Sequence, residues 1–581
     1  MNQAEAPDDA WTGIPDATDP VAREAALREA VTRVVAERGA AVAADPWRQG
    51  FHIQPPVGLL NDPNGLVQHD GVYHLCYQWH PAEPKHGLKL WAYLTSTDMV
   101  HWEEHPPALV PSEQYESHGC YSGSGIVHDS AVHFLYTGNV RTADGGRIAN
   151  QVLARLEADG SVRKVQGNPV IGPLSDYSEH VRDPKVWHED GAYWMVLGAQ
   201  TTDLHGTALL LRSTDLREWE LQGSLGGGAG DPVNGYMWEC PDVLRFPEGD
   251  VLVISAQEEH GTDAQPQRVD HTDYAVGRLS LDPAGFERST PFRRMDAGPD
   301  FYAPQTFRAE DGRLLLIGWL GMPDQPGQPS LATKHPSVRN GWVHCLSVPR
   351  EVSLVEGTLA QQPVAELAAL RGESTQAAFL VDPGVGVHVA GVSGTRIELA
   401  LTVRAGEGAR LVLSLRARDH SPVDPVEHAL VEPVETNTPH PEQTLAEPVE
   451  TNPAHPEQTL VEPVETNTPQ PEQTLVEQAD LDRPVRLVVD PAAGSITLDR
   501  TALGTGEGGL WTGRIRSAET VDVRVLLDSS SIEVFADEGR CVLSARIYPT
   551  ADEAITWAAE GGPVAVEVEA WPFGAAEQSA D

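Results

Sequence analysis

The chain has 581 residues, of which 85 are Asp or Glu and 41 are Lys or Arg, and its formal net charge is −44. That length exceeds what one hydrophobic core supports, so two or more domains are expected. The charge argues against nucleic acid and anionic membranes as partners. Apolar runs are too short to span a membrane, and the acidic N-terminus lacks the features of a signal peptide, which predicts a cytoplasmic protein.

The N-terminal segment, residues 1–45, is predicted to be a disordered tail followed by one short helix. The helix is expected over residues 21–44, which are rich in Ala, Glu and Arg. Asp19 is suited to the N-cap position and Pro20 to the first helical turn. We expect this helix to lie on the domain that follows it.

A hairpin pattern recurs five times between residues 46 and 350, at 62–75, 123–136, 182–196, 240–253 and 303–316. Each copy has a short strand, a tight turn such as Asp-Gly, and a second apolar strand. The spacing of roughly 60 residues is somewhat above the roughly 40–50 residues that are typical of four-stranded propeller blades. A Ser-Thr-Asp motif at 96–98 and 213–215 repeats two blades apart. The pattern predicts an all-β protein with a five-bladed β-propeller over 46–350, and a β-sandwich with similar hairpins is the alternative.

A second domain is predicted after a linker at 351–372. Residues 395–403, 410–415, 521–527 and 531–535 alternate apolar and polar side chains, which predicts an antiparallel β-sandwich over 373–575. A 15-residue repeat built on Glu-Pro-Val-Glu-Thr-Asn interrupts it. Because apolar residues are sparse there, an acidic disordered insert is expected at about 420–480. The five cysteines are scattered without a CxxC pair, so the sequence predicts neither a disulfide framework nor a metal site.

Three carboxylates stand at corresponding places in the repeat. Asp62 and Asp183 head the inner strands of blades one and three, and Glu239 precedes that of blade four. Inner strands of a propeller line its central channel and start at a common end, so these side chains are expected to meet at one mouth. Crowded like charges raise at least one pKa, as an acid–base pair requires, and glycoside hydrolysis uses two carboxylates. Each Asp-Pro taken alone would be an ordinary turn.

The blocks Leu60–Gly65, Arg182–Lys185 and Glu239–Pro241 together resemble glycoside hydrolase family 32, the β-fructofuranosidases. Further blocks at 119–124, 301–305, 527–535 and 544–548 extend the resemblance over most of the chain. The resemblance implies a propeller followed by a sandwich, and a retaining mechanism.

By this resemblance Asp62 is the nucleophile, Glu239 is the acid/base, and Asp183, braced by Arg182, holds sugar hydroxyls and stabilises the transition state. Asp62 must then stay ionised, while Glu239 must hold a proton and is expected to have the raised pKa. Retention also predicts that the carboxyl groups of Asp62 and Glu239 lie about 5–5.5 Å apart. The resemblance places seven residues around the fructose: Leu60, Asn61, Gln78, Trp91, Tyr121, Ser122 and Arg182.

The match is imperfect around Trp91, where the family commonly has His-Trp-Gly-His-Ala and this chain has Leu-Trp-Ala-Tyr-Leu. The leaving-group side of the site is therefore expected to differ. Lys85 and Lys89 are candidates for binding a phosphate.

The sequence predicts a cytoplasmic retaining β-fructosidase that releases fructose from sucrose, sucrose 6-phosphate or a short fructan. Its expected partner is a small-molecule sugar, and no cofactor is predicted. A levanase or inulinase, and a fructosyltransferase with the same residues, are alternatives. A catalytically silent sugar-binding protein is a further one, against which the presence of all three carboxylates counts. A sandwich edge would allow a homo-oligomer.

Overall fold

The computed structural model describes residues 9–228, 230–231, 235–257, 270–324, 335–415, 485–501, 509–548 and 554–574. The acidic insert predicted at about 420–480 lies outside these residues. Within them, one α-helix precedes a series of β-strands that form seven sheets. None of the helices in the described ranges combines the length and apolar character that crossing a membrane requires.

The predicted N-terminal helix is confirmed as α1, Pro20–Ala43. The Asp19 side chain caps it by accepting the backbone N–H of Ala22 at 3.1 Å. Leu27 and Val31 bury one face of α1 in the largest apolar cluster of the propeller. Residues 1–18 were expected to be a disordered tail. For residues 9–18, which the structure describes, this prediction is wrong, because Asp9–Trp11 form a 3₁₀ turn and Trp11 packs against the same cluster.

Five sheets make up the propeller. The first contains β1 (Gly58–His69), β2 (Val72–His80), β3 (Leu90–Ser96) and β4 (Glu103–Leu109), and the second contains β5 (Cys120–His128), β6 (Ala131–Arg141), β7 (Arg147–Leu156) and β8 (Val162–Lys164). The third contains β9 (Tyr177–Glu189), β10 (Ala192–Thr201), β11 (Gly206–Ser213) and β12 (Glu220–Gly227). The fourth contains β13 (Met237–Phe246), β14 (Gly249–Gln257), β15 (His271–Leu281), β16 (Ala284–Arg288) and β17 (Arg293–Arg294).

The fifth sheet contains β18 (Tyr302–Arg308), β19 (Leu314–Leu320), β21 (Cys345–Leu346), β22 (Arg350–Val355) and β23 (Thr358–Pro363), while β20 (Trp342–Val343) pairs in parallel with β1. The blade thus runs to Pro363, beyond the boundary predicted at residue 350. Val352 and Leu359 explain the difference, since both bury in the apolar cluster beneath this sheet. Within the predicted linker at 351–372, the part after the fifth blade contains a 3₁₀ helix at Ala365–Leu370.

The first two strands of each propeller sheet are the five hairpins that the repeat predicts, and all pair antiparallel. The inner strands β1, β5, β9, β13 and β18 contact one another in that order, and β18 returns to β1. The five-bladed propeller is therefore confirmed.

The predicted sandwich is also confirmed, as two six-stranded sheets. One contains β24 (Thr375–Val381), β35 (Val564–Pro572), β26 (Ile397–Ala405), β31 (Thr520–Asp528), β32 (Ser531–Ala536) and β33 (Cys541–Arg546) in that spatial order. The other contains β25 (Val387–Ser393), β34 (Ala554–Glu560), β27 (Arg410–Leu415), β28 (Val485–Asp490), β29 (Ser495–Asp499) and β30 (Leu510–Arg514). Alternate side chains of both sheets meet in a single apolar cluster.

Buried charges join the propeller to the sandwich. His52 lies between Asp528 and Glu533, with Nδ1–Oδ2 and Nε2–Oε1 distances of 2.8 and 2.9 Å. Arg350 binds Glu533 and also lies 3.3 Å from Asp296. All of these side chains are fully buried, so each cation depends on its carboxylate partners.

Candidate active site

A β-bulge interrupts each of the five inner strands at the same level. Two residues of the inner strand lie opposite one residue of the second strand at each bulge: Asn61–Asp62, Tyr121–Ser122, Asp183–Pro184, Cys240–Pro241 and Ala303–Pro304. The backbone of Asp183, Cys240 and Ala303 has positive φ, at 67°, 43° and 48°. A bulge redirects the side chains beside it, so the repeated bulges gather these residues at one end of the propeller.

Asp62 is held by three side-chain donors. Ser122 Oγ donates to Asp62 Oδ2 at 2.5 Å, Gln78 Nε2 donates to the same oxygen at 3.0 Å, and Asn61 Nδ2 donates to Oδ1 at 3.0 Å. Burial raises the pKa of the Asp62 carboxyl, the hydrogen bond from Ser122 lowers it, and the charge of Glu239 raises it, with a net increase. The three donors thus favour the ionised form against the burial.

Lys89 orients the amide of Asn61. Its Nζ donates to Asn61 Oδ1 at 2.6 Å, which leaves the amide nitrogen to face Asp62. Lys89 is only 4% exposed, and burial lowers its pKa to about 7. Lys85 pairs with Glu83 at 2.8 Å. Both lysines proposed for phosphate are therefore engaged with protein groups.

Asp183 lies on β9 in a buried position. Its backbone N–H donates to Thr137 Oγ1 at 2.9 Å, and its Oδ2 accepts the backbone N–H of Cys240 at 3.1 Å. Burial raises the pKa of Asp183 to about 7; the charge of Arg182 opposes this increase, and the charges of Glu239 and Asp62 add to it.

Glu239 is bound by Arg182 and Tyr302. Nε and Nη2 of Arg182 donate to Oε1 at 2.9 and 2.8 Å, and the Tyr302 hydroxyl lies 3.0 Å from Oε2. Arg182 also contacts Nδ1 of His180 at 2.9 Å and Gln257 Oε1 at 3.2 Å. Burial, with the charge of Arg182, lowers the pKa of His180 to about 3, so this ring is neutral and can accept from the guanidinium.

The three carboxylates converge around Cys240. Its Sγ lies 3.9 Å from Asp62 Oδ2 while its N–H binds Asp183, and Glu239 is the residue before it. Strands β1, β9 and β13 therefore meet around one thiol. Burial raises the pKa of Asp62 and also that of Asp183, whose side chain is 4% exposed. The protonated role of Glu239 stays a prediction.

Two of the residues predicted around the fructose have no exposed side-chain surface. The Trp91 ring packs against Phe134 and Tyr136, and its Nε1 donates to the backbone oxygen of Tyr121 at 3.0 Å. Leu60 belongs to the apolar core of the propeller. Trp91 thus supports the backbone of Tyr121 from behind. The other five surround the carboxylates as described above or, in the case of Tyr121, lie beside Ser122 in the same bulge.

Tyr302 also lies at the candidate site, but the sequence motifs predicted no role for it. The signal was present, because residues two places before proline in four blades are Asn61, Arg182, Glu239 and Tyr302. Repeats place corresponding residues in corresponding positions, so this alignment predicts a fourth side chain at the mouth.

Among the described residues, a group of side chains close enough together to hold a metal ion lies away from the three carboxylates. His69, Asp70 and Glu310 offer ligand atoms within 4.8 Å of one another, but they lie around the outer turn of the β1–β2 hairpin, at the opposite end of β1 from Asp62. Exposed acidic groups of this kind are common without a bound ion.

Two family models match the chain. The glycosyl hydrolases family 32 N-terminal domain matches residues 52–363, and the family 32 C-terminal model matches residues 447–572. The chain belongs to glycosyl hydrolase family 32. The family predicted from the sequence is thereby confirmed, as is the enzyme class, a β-fructofuranosidase.

Relatives of known name agree with this family 32 assignment. The sucrose-6-phosphate hydrolase of Klebsiella pneumoniae is 43% identical over 355 residues, covering 59% of this chain and 73% of its own. The raffinose invertase of Escherichia coli is 31% identical over 548 residues, 94% of this chain and 98% of its own.

Solved structures of family 32 match across both domains. The sucrose-6-phosphate hydrolase of Lactobacillus gasseri has a TM-score of 0.75 at 27% identity, covering 94% of this chain and 97% of its own. A β-fructofuranosidase of Bombyx mori has a TM-score of 0.73 at 26% identity, covering 95% and 99%, and a mutant of it was solved in complex with sucrose.

Proposed function

We propose that the protein hydrolyses the glycosidic bond of sucrose or sucrose 6-phosphate with retention and releases fructose. The observation that carries the proposal is the convergence of Asp62, Asp183 and Glu239 around Cys240. The relatives named sucrose-6-phosphate hydrolase and raffinose invertase support small fructosides as the substrate class. A cytoplasmic location and a homo-oligomeric state stay predictions.

Asp62 is the proposed nucleophile toward the anomeric carbon of the fructosyl unit. Hydrogen bonds from Ser122, Gln78 and Asn61 favour its ionised form and fix its orientation, as attack on a defined carbon atom requires. Attack forms a fructosyl ester of Asp62 and breaks the glycosidic bond, with the electron pair of that bond passing to the leaving oxygen.

Glu239 is the proposed acid and base. It gives its proton to the leaving oxygen in the first step and takes a proton from water in the second, so hydrolysis of the ester returns Asp62 to its carboxylate form. The Tyr302 hydroxyl lies 3.0 Å from Glu239 Oε2 and 3.1 Å from the Ser255 carbonyl oxygen. It can donate to Glu239 when that group is ionised and to Ser255 when Glu239 carries the proton.

Asp183 is proposed to bind hydroxyl groups of the fructose, with Arg182 close to its Oδ2 at 4.0 Å. A buried carboxylate beside the ring also stabilises the positive charge that develops on an oxocarbenium-like transition state. Trp91 is assigned a supporting role behind Tyr121 because its ring is buried.

The acid role is tested with Glu239→Ala on two substrates. Turnover of sucrose should fall by about 10²–10⁴-fold, whereas an aryl fructoside, whose leaving group needs no proton, should be much less affected. Equal losses on both substrates would contradict the acid role.

Fructose release by the wild type, measured in parallel from sucrose, sucrose 6-phosphate, inulin and levan, identifies the substrate class. No release from any of the four by the wild type would overturn the proposed function.

A further inference from the structure

Two arginines face each other across the hairpin formed by β6 and β7. Arg141 is the last residue of β6, Arg147 is the first residue of β7, and the two are directly paired in the antiparallel register. Like charges at directly opposed positions destabilise an antiparallel pair. An anion bound between the two guanidinium groups would relieve this repulsion.

This arginine pair lies at the mouth of the candidate active site. β5 starts at Cys120, which pairs with Gly138 near the end of β6, so the hairpin extends beyond Tyr121 on the side where the bulges gather. The guanidinium carbon of Arg147 lies over the Tyr121 ring, 5.8 Å from its centroid. The charges of Glu239 and Arg182 both act on Arg147, which places it on the side of the proposed acid.

The Arg147 guanidinium has no partner of opposite charge in the part of the chain that the structure describes. Its backbone N–H, not its side chain, donates to Glu179 Oε2 at 2.8 Å. Within the described ranges, neither Arg147 nor Arg141 forms an ion pair or a side-chain hydrogen bond, although Arg147 is partly buried. Burial and the charges of Arg182 and Arg141 lower the pKa of Arg147. A desolvated cation without a carboxylate is costly unless a ligand neutralises it.

We propose that Arg147, with Arg141 opposite, binds the phosphate of a substrate whose leaving hexose is phosphorylated. The inference rests on the proposed function and specifies its substrate as sucrose 6-phosphate in preference to sucrose. A guanidinium fork matches phosphate oxygens, and two of them neutralise a phosphate monoester that carries about −2 charge. The leaving hexose departs on the side of Glu239, where Arg147 lies.

The test compares kcat/KM for sucrose 6-phosphate with kcat/KM for sucrose in the full-length enzyme. The ratio should fall by about 10–100-fold in Arg147→Gln, because a charge-assisted hydrogen bond is lost. Arg147→Lys should restore part of the ratio, and Arg141→Gln should lower it by a smaller factor. The matched control is Arg155→Gln on the same strand, an exposed arginine that pairs with Glu157 and should leave the ratio unchanged.

Product inhibition gives an independent measurement on the wild-type protein. Glucose 6-phosphate should inhibit the enzyme more strongly than glucose does, and Arg147→Gln should remove that difference. A wild type that prefers sucrose, or a ratio unchanged in Arg147→Gln, would overturn the phosphate site while leaving the fructosidase activity in place. Fructose release from neither disaccharide would overturn the proposed function, and the phosphate site with it.

Discussion

At the residue scale, the hydroxyl of Ser122 is the shortest of the side-chain contacts to Asp62 described above. It opposes the burial that raises the pKa of this carboxyl. Because Asp62 has to be ionised in its proposed role as nucleophile, the strength of this contact should set how far activity persists toward acidic pH.

Replacing Ser122 by Ala tests this contribution. Without the hydroxyl the pKa of Asp62 rises further, so the carboxylate becomes protonated at a higher pH and activity is lost earlier as pH falls. We expect the acidic limb of kcat/KM for sucrose to move upward by roughly half to one pH unit. The pH profile measures this shift, with Ser213→Ala in the outer part of blade three as the control. A profile that keeps its position would show that the Ser122 contact does not govern the ionisation of Asp62.

The charges of the site could be predicted from the sequence, but their environment could not. Asp62, Asp183 and Glu239 stand at repeat positions that any reader of the chain can align. The deep burial of Asp183 and the hydrogen bond from Lys89 to Asn61 depend on residues from other strands. A pKa depends on those neighbours, so the expectation of one raised pKa at Glu239 missed the increases at Asp62 and Asp183.

At the element scale, the five hairpins could be recognised because each carries its own turn and alternation. The bulges could not, since a bulge is a property of two paired strands and shows only in their register. The available signal for a bulge was the proline that four of the inner strands carry in or directly after it. Proline is tolerated in a strand where a ladder hydrogen bond is missing. Strands β22 and β23 were missed at the fifth blade because the sequence there lacks the repeated motif.

Gly65 tests a second register shift of β1, between Asn64 and Val67, which begins three residues after Asp62. It has φ of 61°, and a Cβ there would lie 3.0 Å from the Phe134 ring and 3.1 Å from Trp91. Gly65→Ala should lower the free energy of unfolding by about 2–4 kcal/mol, from backbone strain and overpacking together. It should also reduce kcat, because the chain next to Asp62 has to move.

Gly71 in the turn of the same hairpin is the matched control. It also has positive φ, at 78°, but a Cβ there would meet nothing within 4 Å. Gly71→Ala should cost about 1 kcal/mol and leave kcat unchanged. Denaturant unfolding and sucrose turnover measure both variants, and equal effects of the two substitutions would rule out a packing constraint at Gly65.

At the scale of the whole molecule, His52 ties the start of the propeller to the sandwich. Burial opposes its protonation, but hydrogen bonds and the charges of Asp528 and Glu533 raise the pKa of His52 from 6.5 to about 9. A raised pKa means that the charged histidine stabilises the fold fully below pH 6.5. This contribution is lost as the pH rises from 6.5 to about 9.

His52→Gln separates this effect from the general acidity of the chain. Wild type should lose more unfolding free energy than the variant between pH 6.5 and 9, because only wild type has this proton to lose. At pH 6.5 the variant should be less stable by about 3–5 kcal/mol, since two buried carboxylates lose their partner. Denaturant unfolding across the pH range is the measurement, with His101→Gln at an exposed turn as control. Parallel curves for wild type and His52→Gln would show that His52 is uncharged in the folded protein.

The charges between the two domains also impose an order on synthesis. Arg350 and Glu533 are 183 positions apart, so the ribosome releases Arg350 and its neighbour Asp296 well before the carboxylate that the sandwich supplies. At usual translation speeds this interval lasts about 10–40 s. During it, Arg350 has Asp296 of the propeller within 3.3 Å but lacks its second carboxylate partner, Glu533. Strand β32, which carries Glu533, therefore completes a buried ion pair of the propeller as well as its own sheet.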